Sequence, residues 1–469
     1  MKKKRALAFL LTGAMAFSMA ACGSQQETTN TGTSSQAETQ TQAEAGTAAE
    51  GTTASEGAAA GEDISADITM WTYPIGSFGD EETVNGFIAA FNEIYPNINV
   101  SVEYLDYTSG DDQVTAAIEA GTTPDIIMEG PERLVSNWGA NGKMLDLSDL
   151  WDEEALADIS ATSEAVVSAC QSTDGVFYEY PLCMTTHCMA INYEMFEAAD
   201  ALQYINDDRT WTTENFEKAL QALKDAGVAQ ENGIVYCGGQ GGDQGTRALA
   251  MNLYNAEFTN ADHTQWTMNS EAGVKGLQQL VDWTQEGLLS YDAGAQASDE
   301  LQLFANGTVA MTFCWNASNE AQYASVVGFT PYPVAFPSES GIPELCGGIY
   351  GFGIFDNGDA TKAEAAKRFI EFICDDATQG PLSVASTGFF PVRASFGNVY
   401  AGTDDEARME VFAGFGPYLG DYYNVTAGWA EQRTAWWNML QQIFGGEDVQ
   451  TAADAYVETC NAATAAASN

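Results

Sequence analysis

The sequence predicts an α/β protein whose strands form mostly parallel sheets that helices cover on both faces. One observation is the alternation of short apolar segments with amphipathic segments, which begins at residue 68. Strands that alternate with helices are joined by crossovers, and crossovers make neighbouring strands parallel. The other observation is size, because 469 residues, 45% of them hydrophobic, suffice for two domains with separate cores.

The first five elements follow one another as strand, helix, strand, helix and strand. Apolar and polar residues alternate over 68–73, which is typical of a strand. Helical spacing of apolar residues from Val84 onward predicts a helix over 82–95, and Pro96 ends it. Gly121 is expected to cap the second helix. The remaining predicted elements are a strand at 98–104, a helix at 113–120 and a strand at 124–128.

Later helices are predicted from the same spacing. In the segment 209–220, Thr212 can cap the helix N-terminus, and Phe216, Leu220 and Leu223 form a stripe that should be buried. Further helices are expected at 273–283, at 363–373 and around Trp429, Trp436 and Trp437.

The stretch 303–316 combines a turn with a buried strand. Asn306 and Gly307 interrupt an amphipathic run, and the apolar segment 309–314 then predicts a short strand. Trp315 and Asn316 follow at the strand's C-terminal end, where α/β sheets commonly bind ligands. We therefore expect Trp315 to face a ligand cleft, with a role in core packing as the alternative.

The first 63 residues are predicted to be an export signal and a tether. Residues 1–22 have a basic start, an apolar run and small residues before Cys22, which resembles a bacterial lipobox. We expect diacylation of Cys22 and an anchor on the outer face of the cell membrane; an ordinary signal peptide with an incidental cysteine is the alternative. Residues 23–63 lack aromatic and large aliphatic side chains, which predicts a disordered tether.

Charge and cysteine spacing restrict the function classes. The formal net charge of -49 repels nucleic acid and anionic membranes, so no nucleic-acid partner is expected and the membrane serves only as an anchor point. The eight cysteines beyond Cys22 are widely spaced and contain no C-x-x-C pair, which disfavours a zinc site. Buried free thiols are the expected state, with disulfides as the open alternative.

No enzyme motif stands out. The glycine-rich segment 237–245 lacks both the P-loop and the dinucleotide-binding patterns. His187 and His263 are the two histidines, and neither accompanies a nucleophile elbow. Carboxylate pairs among 66 acidic residues carry no specific signal for glycoside hydrolysis. The pair Tyr422 and Tyr423 leaves ferric-ion binding open. We expect no catalysis, no cofactor and no metal.

Five segments together resemble the bacterial solute-binding lipoproteins of ATP-driven sugar importers, the maltose-binding-protein-like class. They are W-T-Y at 71–73, F-N-E-I-Y-P-N-I-N-V at 91–100, A-I-E-A-G-T-T-P-D-I-I at 117–127, D-G-V-F-Y-E-Y-P at 174–181 and F-A-N-G-T-V-A-M at 304–311. The resemblance implies a two-lobed periplasmic-binding-protein-like fold with a sugar held between the lobes. Its first lobe would comprise 64–182 and 351–388, and its second lobe 183–350 and 389–469, joined by hinge crossings.

A sugar presents hydroxyls, which need polar partners, and apolar C–H faces, which need flat aromatic rings. Several candidates for these partners lie at predicted strand ends and crossings. Core packing is the alternative role for the aromatic ones, and surface or capping roles are the alternative for the polar ones. The aromatic candidates are Trp71, Tyr73, Tyr107, Trp315, Tyr350, Phe390 and Trp429. The others are Glu129, His187, Gln240, Asp243, Asn316, Gly348 and Arg393.

The expected function is capture of a mono- or oligosaccharide by hinge closure and delivery to an ABC permease with its ATPase. We expect a monomer. The alternatives are binding of a ferric ion, a polyamine or a peptide, and an anchored glycan-degrading enzyme.

Overall fold

The computed structural model describes residues 64–107, 109–238 and 244–467. The strands are β1 (Ala66–Thr72), β2 (Ile98–Tyr104), β3 (Ile126–Glu129), β4 (Tyr180–Thr186), β5 (Cys188–Asn192), β6 (Ile234–Tyr236), β7 (Ser290–Asp292), β8 (Met311–Trp315), β9 (Pro331–Val334), β10 (Gly347–Ile354) and β11 (Phe390–Pro391). The predictions for the export signal, Cys22, the tether, Gln240 and Asp243 lie outside the described residues.

The first eight helices extend as far as α8, which begins near the end of the glycine-rich segment. They are α1 (Glu81–Ile94), α2 (Gly110–Ala120), α3 (Pro131–Arg133), α4 (Glu153–Thr162), α5 (Glu164–Cys170), α6 (Tyr193–Ala198), α7 (Thr213–Ala226) and α8 (Gln244–Asn252). The later eight are α9 (Glu271–Gln285), α10 (Ala297–Ala305), α11 (Ala317–Tyr323), α12 (Ala360–Asp375), α13 (Gln379–Thr387), α14 (Glu406–Ala413), α15 (Trp429–Phe444) and α16 (Val449–Ala467).

The first lobe is built on a six-stranded sheet with the order β11-β4-β10-β3-β1-β2. β1 pairs in parallel with β2 and β3, as the strand and helix alternation predicts. β10 and β11 pair antiparallel with their neighbours, so the sheet is mixed rather than mostly parallel. β10 returns from the second lobe and therefore enters the sheet from the opposite end, whereas β11 follows α13 of the first lobe.

The second lobe contains two small sheets. β5 lies between β8 and β9 and pairs antiparallel with both, and β6 pairs in parallel with β7. Each lobe has its own hydrophobic core. Phe91, Phe352 and Phe369 are fully buried in the first core, and Trp211 and Trp436 in the second.

Local capping sets several element boundaries as predicted. The Thr212 hydroxyl accepts from the Asn215 backbone N–H at 3.1 Å and begins α7. Phe216 and Leu220 are fully buried on the inner face of that helix. Gly121 ends α2 with φ +67°, a left-handed conformation that glycine adopts without strain.

The lobes are joined where strands pass from one sheet to the other. β4 of the first sheet and β5 of the second are separated by His187 alone. β10 pairs with β4 from Gly347 onward, so the first sheet extends past the predicted boundaries at residues 182 and 351. Within this pairing, Gly351 lies so close to the Tyr180 carbonyl oxygen that a Cβ atom does not fit.

The eight cysteines from Cys170 to Cys460 are free thiols, and all except the partly exposed Cys314 are buried. Within the described ranges, no helix is both long enough and apolar enough to cross a membrane.

Candidate functional site

The candidate site is built around Arg133, which β3 and the short helix α3 place at the edge of the first lobe. The Arg133 Nε and Nη2 atoms donate to the two carboxylate oxygens of Asp111, each at 2.9 Å. Its Nη1 donates to Glu129 Oε1 at 2.9 Å. A bidentate pair of this kind fixes the plane of the guanidinium group. Arg133 is therefore held in one orientation by two first-lobe carboxylates.

Trp429, the first residue of α15, is the second lobe's contact with Arg133. The Arg133 Cζ atom lies 5.1 Å from the Trp429 ring centroid. The Arg433 Cζ atom, one helical turn further along α15, lies 4.6 Å from the same centroid. Both distances are within the range of cation–π attraction. One indole ring therefore contacts a guanidinium group from each lobe.

The Trp429 indole keeps one donor unused. Its side chain is buried, with 8% of the residue exposed. Its Nε1 atom has no hydrogen-bond partner among the described residues. Since buried donors are nearly always paired in native proteins, this N–H marks a position for an acceptor oxygen.

Tyr73 and Tyr107 supply stacked rings next to Asp111. Their ring centroids are 5.0 Å apart with an angle of 21° between the planes. The Tyr73 hydroxyl donates to Asp111 Oδ1 at 2.7 Å, and Tyr73 is fully buried. Tyr107 leaves 47% of its surface exposed. Tyr107 thus offers a rigid aromatic face, because Tyr73 supports it from behind.

Burial and neighbouring charges set the protonation of the two carboxylates. Burial raises the pKa of Glu129 to about 7, although the Arg133 charge acts in the opposite direction. Burial also acts to raise the pKa of Asp111, but hydrogen bonds and charge from Arg133, with smaller effects of Tyr73 and Arg433, bring that pKa below its usual value. Asp111 is consequently the firmly ionised partner of Arg133 at neutral pH.

A second contact behind Arg133 joins α3 to the segment that precedes α15. The Tyr422 hydroxyl donates to Glu132 Oε2 at 2.9 Å, and both side chains are buried. Burial, followed by the charge of Glu132, raises the pKa of Tyr422. Tyr422 packs in the first core, seven residues before Trp429 enters the second lobe. The path of the chain between the lobes is therefore fixed beside the site.

The structure brings four of the predicted ligand residues together and places others nearby. Tyr73, Tyr107, Glu129 and Trp429 belong to the cluster around Arg133 and Asp111. Tyr350 lies in β10, where it stacks on Phe389 at 5.7 Å, and burial followed by the Glu129 charge raises its pKa. Gly348, in the same strand, has the Tyr350 ring against it, so a Cβ atom would collide with that ring.

Three other predicted residues have local roles. Trp71 is half-buried in β1 at the margin of the first core. Asn316 caps α11 by accepting from the Asn319 backbone N–H at 2.9 Å. His187 separates the hinge strands and donates its backbone N–H to the Cys346 carbonyl oxygen. These contacts give each of the three residues a structural role, and none of the three belongs to the Arg133 cluster.

The expectation that Trp315 faces the cleft is corrected by the structure. Trp315 is fully buried in the second core, and its Nε1 donates to Glu320 Oε2 at 2.9 Å. Its ring meets Phe304 edge-on, with the centroids 5.5 Å apart. Phe304 closes off the ring because α10 packs directly on β8, a tertiary contact that the strand pattern alone does not reveal.

Arg393 and Phe390 also lie away from the Arg133 cluster. Arg393 forms ion pairs with Asp375 and, at 3.5 Å, with Asp158. Its Nη2 also donates to the Tyr180 hydroxyl at 2.5 Å. Phe390 lies in β11 and packs against the second core. Both residues line a different cavity at the hinge.

Sequence reasoning missed Asp111, Glu132, Arg133 and Arg433 as site residues, and it considered Tyr422 only for ferric-ion binding. One available signal was rarity, because only 17 basic residues stand against 66 acidic ones, and Arg133 closely follows the predicted strand at 124–128. Another was spacing, because Trp429 and Arg433 are four residues apart on one predicted helix and must share a face. Within the described part of the chain, no group of three or more His, Cys, Asp or Glu side chains is arranged to hold a metal ion.

Comparisons with known proteins identify similar sequences and folds. The family described as bacterial extracellular solute-binding protein matches residues 76–380. No curated protein matches the chain. An ABC transporter solute-binding protein from Thermotoga lettingae, bound with α-D-tagatose, is 18% identical with a TM-score of 0.68, covering 85% of this chain and 100% of its own.

Two further solved structures are similar to the same extent. A substrate-binding protein from Listeria monocytogenes in complex with cycloalternan is 18% identical with a TM-score of 0.66, covering 85% of this chain and 98% of its own. A maltose/maltodextrin-binding domain from Bdellovibrio bacteriovorus bound to maltotriose is 14% identical with a TM-score of 0.65, covering 85% of this chain and 99% of its own. These likenesses establish the two-lobed periplasmic-binding-protein fold.

Proposed function

Because the chain belongs to the family of bacterial extracellular solute-binding proteins, we propose that it captures a neutral saccharide between its two lobes for import. The solved structures with the same fold carry tagatose, cycloalternan and maltotriose. These ligands differ in size but share hydroxyl groups and apolar ring faces. The proposal therefore concerns the class of ligand and does not specify one sugar.

The observation that carries the proposal is the pairing of an exposed aromatic face with an unused buried donor. Tyr107 presents a supported ring for the C–H face of a pyranose or furanose. Trp429 provides an indole N–H that has no partner among the described residues, and a sugar oxygen can accept from it. Asp111 and Arg433 add charged groups that strengthen hydrogen bonds to hydroxyls.

In this proposal, closure responds to the ligand because the ligand contacts residues of both lobes. Tyr107 and Asp111 belong to the first lobe, whereas Trp429 and Arg433 lie on α15 of the second. A ligand that touches both sets gains its full binding free energy only when the lobes are together. Its binding therefore raises the population of the closed form through the hinge at β4, β5 and β10.

The site is better suited to binding than to glycoside hydrolysis. Hydrolysis needs one protonated carboxyl group and a second carboxylate that can act as a base or a nucleophile. Both Asp111 and Glu129 are hydrogen-bonded to the same guanidinium group of Arg133. Neither carboxylate is available for attack without breaking that arrangement.

Delivery and anchoring complete the proposal. The closed protein would pass its ligand to a membrane permease powered by an ATPase subunit, and it would act as a monomer. The basic start, apolar run and Cys22 support a lipid anchor on the outer face of the cell membrane. The predicted tether, residues 23–63, would link that anchor to the two lobes.

Isothermal titration calorimetry against a panel of mono- and oligosaccharides tests the ligand class. We expect at least one saccharide to bind, and Trp429→Ala to weaken that binding by about 10-fold or more. Glu431→Gln, an exposed change on the same helix, is the matched control and should bind as the parent does. Binding of a ferric ion, a polyamine or a peptide in place of every saccharide would refute the proposal, and product released from labelled oligosaccharides would reveal an enzyme.

A further inference from the structure

A cavity of about 260 Å³ lies at the hinge, and it shares no residue with the Arg133 cluster. Its apolar walls include Met184 on β4, Phe390 on β11, Phe412 on α14 and Leu419. Met184 packs against the first core, whereas Phe390 and Phe412 pack with the second. The cavity is thus formed jointly by both lobes.

Polar side chains line the cavity as well, and two of the buried ones each have an unpaired atom. Thr186 is 5% exposed and Arg393 is 7% exposed. Among the described residues, neither the Thr186 Oγ1 nor the Arg393 Nε has a hydrogen-bond partner. Leaving a buried polar group unpaired costs on the order of 1 to 3 kcal/mol. A ligand oxygen that pairs with them would recover this cost.

The charges around Arg393 restrict the ligand to a neutral molecule. Its guanidinium group already pairs with two carboxylates, Asp375 and Asp158. The three groups together carry a net charge of -1 when all are ionised, so they do not attract an anion. The Nε atom remains a strong donor because it belongs to a cation. It therefore favours a neutral acceptor, such as a carbonyl or hydroxyl oxygen.

We propose that this hinge cavity is a second ligand site, which takes a small neutral molecule with an apolar body and one carbonyl or hydroxyl oxygen. The oxygen accepts from Arg393 Nε and meets the Thr186 hydroxyl. The apolar body lies against Met184, Phe390 and Phe412. Because both lobes form the walls, the site exists in full only for lobe arrangements that keep these walls together.

Hexan-1-ol is a suitable probe, because its chain is apolar and its oxygen both accepts and donates. Saturation-transfer NMR on the full chain should show saturable binding of hexan-1-ol. Thr186→Val removes the hydroxyl at nearly constant shape and should weaken binding by about 3- to 10-fold. Hexanoate, which has the same chain length and a negative charge, should bind at least about 10-fold more weakly.

Two further variants locate the bound probe. Ala413 lines the cavity from the exposed end of α14, so Ala413→Phe should fill the space without disturbing either core and should abolish hexan-1-ol binding. Trp429→Ala alters the proposed saccharide site, and because Trp429 does not line the cavity, this variant should leave hexan-1-ol binding unchanged. Equal binding to the parent and to Ala413→Phe, tighter binding of hexanoate, or no saturable binding of hexan-1-ol would each overturn the proposal. None of these outcomes depends on whether a saccharide binds in the cleft.

Discussion

The Arg433 guanidinium group lies 4.6 Å from the centre of the Trp429 ring, on the same face of α15. This pairing is internal to one helix, so the second lobe presents its side of the site already assembled. The first lobe does the same, because Asp111 holds Arg133 in a bidentate pair. Two preformed halves lower the ordering cost of closing around a ligand.

Trp429→Phe separates the contribution of the indole N–H to binding from that of the aromatic ring. The variant keeps an aromatic face between Arg133 and Arg433 but loses the Nε1 hydrogen. We expect saccharide affinity to fall by about 1 to 2 kcal/mol, the loss of one buried hydrogen bond, while the melting temperature stays nearly constant. Calorimetry measures the first quantity and differential scanning calorimetry the second. Unchanged affinity would show that the ligand does not accept from this atom.

Asp111→Asn tests whether Asp111 positions Arg133 and Tyr73. The carboxylate accepts three hydrogen bonds from these two residues, and an amide cannot accept all of them. We expect saccharide affinity to fall by about 1 to 3 kcal/mol and unfolding free energy to fall as well. Asp112→Asn, the exposed neighbour on α2, is the control and should change neither quantity. Equal effects of the two substitutions would mean that only net charge matters.

Glu300 predicts a pH dependence of stability. It lies on α10 and is fully buried against β8, where it accepts from the Thr312 hydroxyl at 2.6 Å and from the Phe313 backbone N–H at 2.8 Å. Burial raises its pKa to about 8. Since the folded pKa exceeds the unfolded one, the protonated carboxyl stabilises the fold at low pH. This contribution is full below about pH 4.5 and disappears as pH rises through about 8, at about 1.4 kcal/mol per pH unit.

Glu300→Gln isolates that contribution, because glutamine imitates the protonated carboxyl at every pH. Urea unfolding of both proteins from pH 5 to pH 9 gives the difference in unfolding free energy, in which the repulsion of the remaining carboxylates cancels. We expect the variant to become progressively more stable than the parent as pH rises. A difference that stays constant with pH would show that Glu300 is ionised throughout.

Trp315→Ala should destabilise the fold and leave the ligand site intact. Its ring is fully enclosed in the second core, and removal of a buried Trp costs about 3 to 5 kcal/mol. Urea unfolding measures this loss, and Trp315→Phe should lose less because it retains part of the packing against Phe304. A normal unfolding free energy together with weakened saccharide binding would restore the sequence-based interpretation of Trp315.

The sequence predicted best those features that local chemistry determines. The bounds of β2 agree with the predicted strand at 98–104, and α7 begins after its Thr212 cap, because periodicity and capping act within a few residues. The site was predicted less well because its parts are joined over long separations. Arg133 meets Asp111 across 22 residues and Tyr422 meets Glu132 across 290, and nothing local to either pair indicates the contact.

Trp315 shows the same limit of sequence-based prediction. An aromatic residue at the end of a buried strand is compatible with a cleft or with a core. The choice depends on Phe304 and Glu320, which reach Trp315 from α10 and α11. The antiparallel direction of β10 was missed for a related reason, since it is set by where the chain returns from the second lobe.

Gly351 leaves no room for a side chain where β10 meets β4 beside the hinge. With only hydrogen on its Cα atom, the two backbones come closer together than any other residue would permit. If the lobes close on a ligand as proposed, any work done at this crossing is subtracted from the free energy of ligand contact. A substitution at Gly351 that forces the two strands apart would then change the affinity without adding or removing a ligand contact.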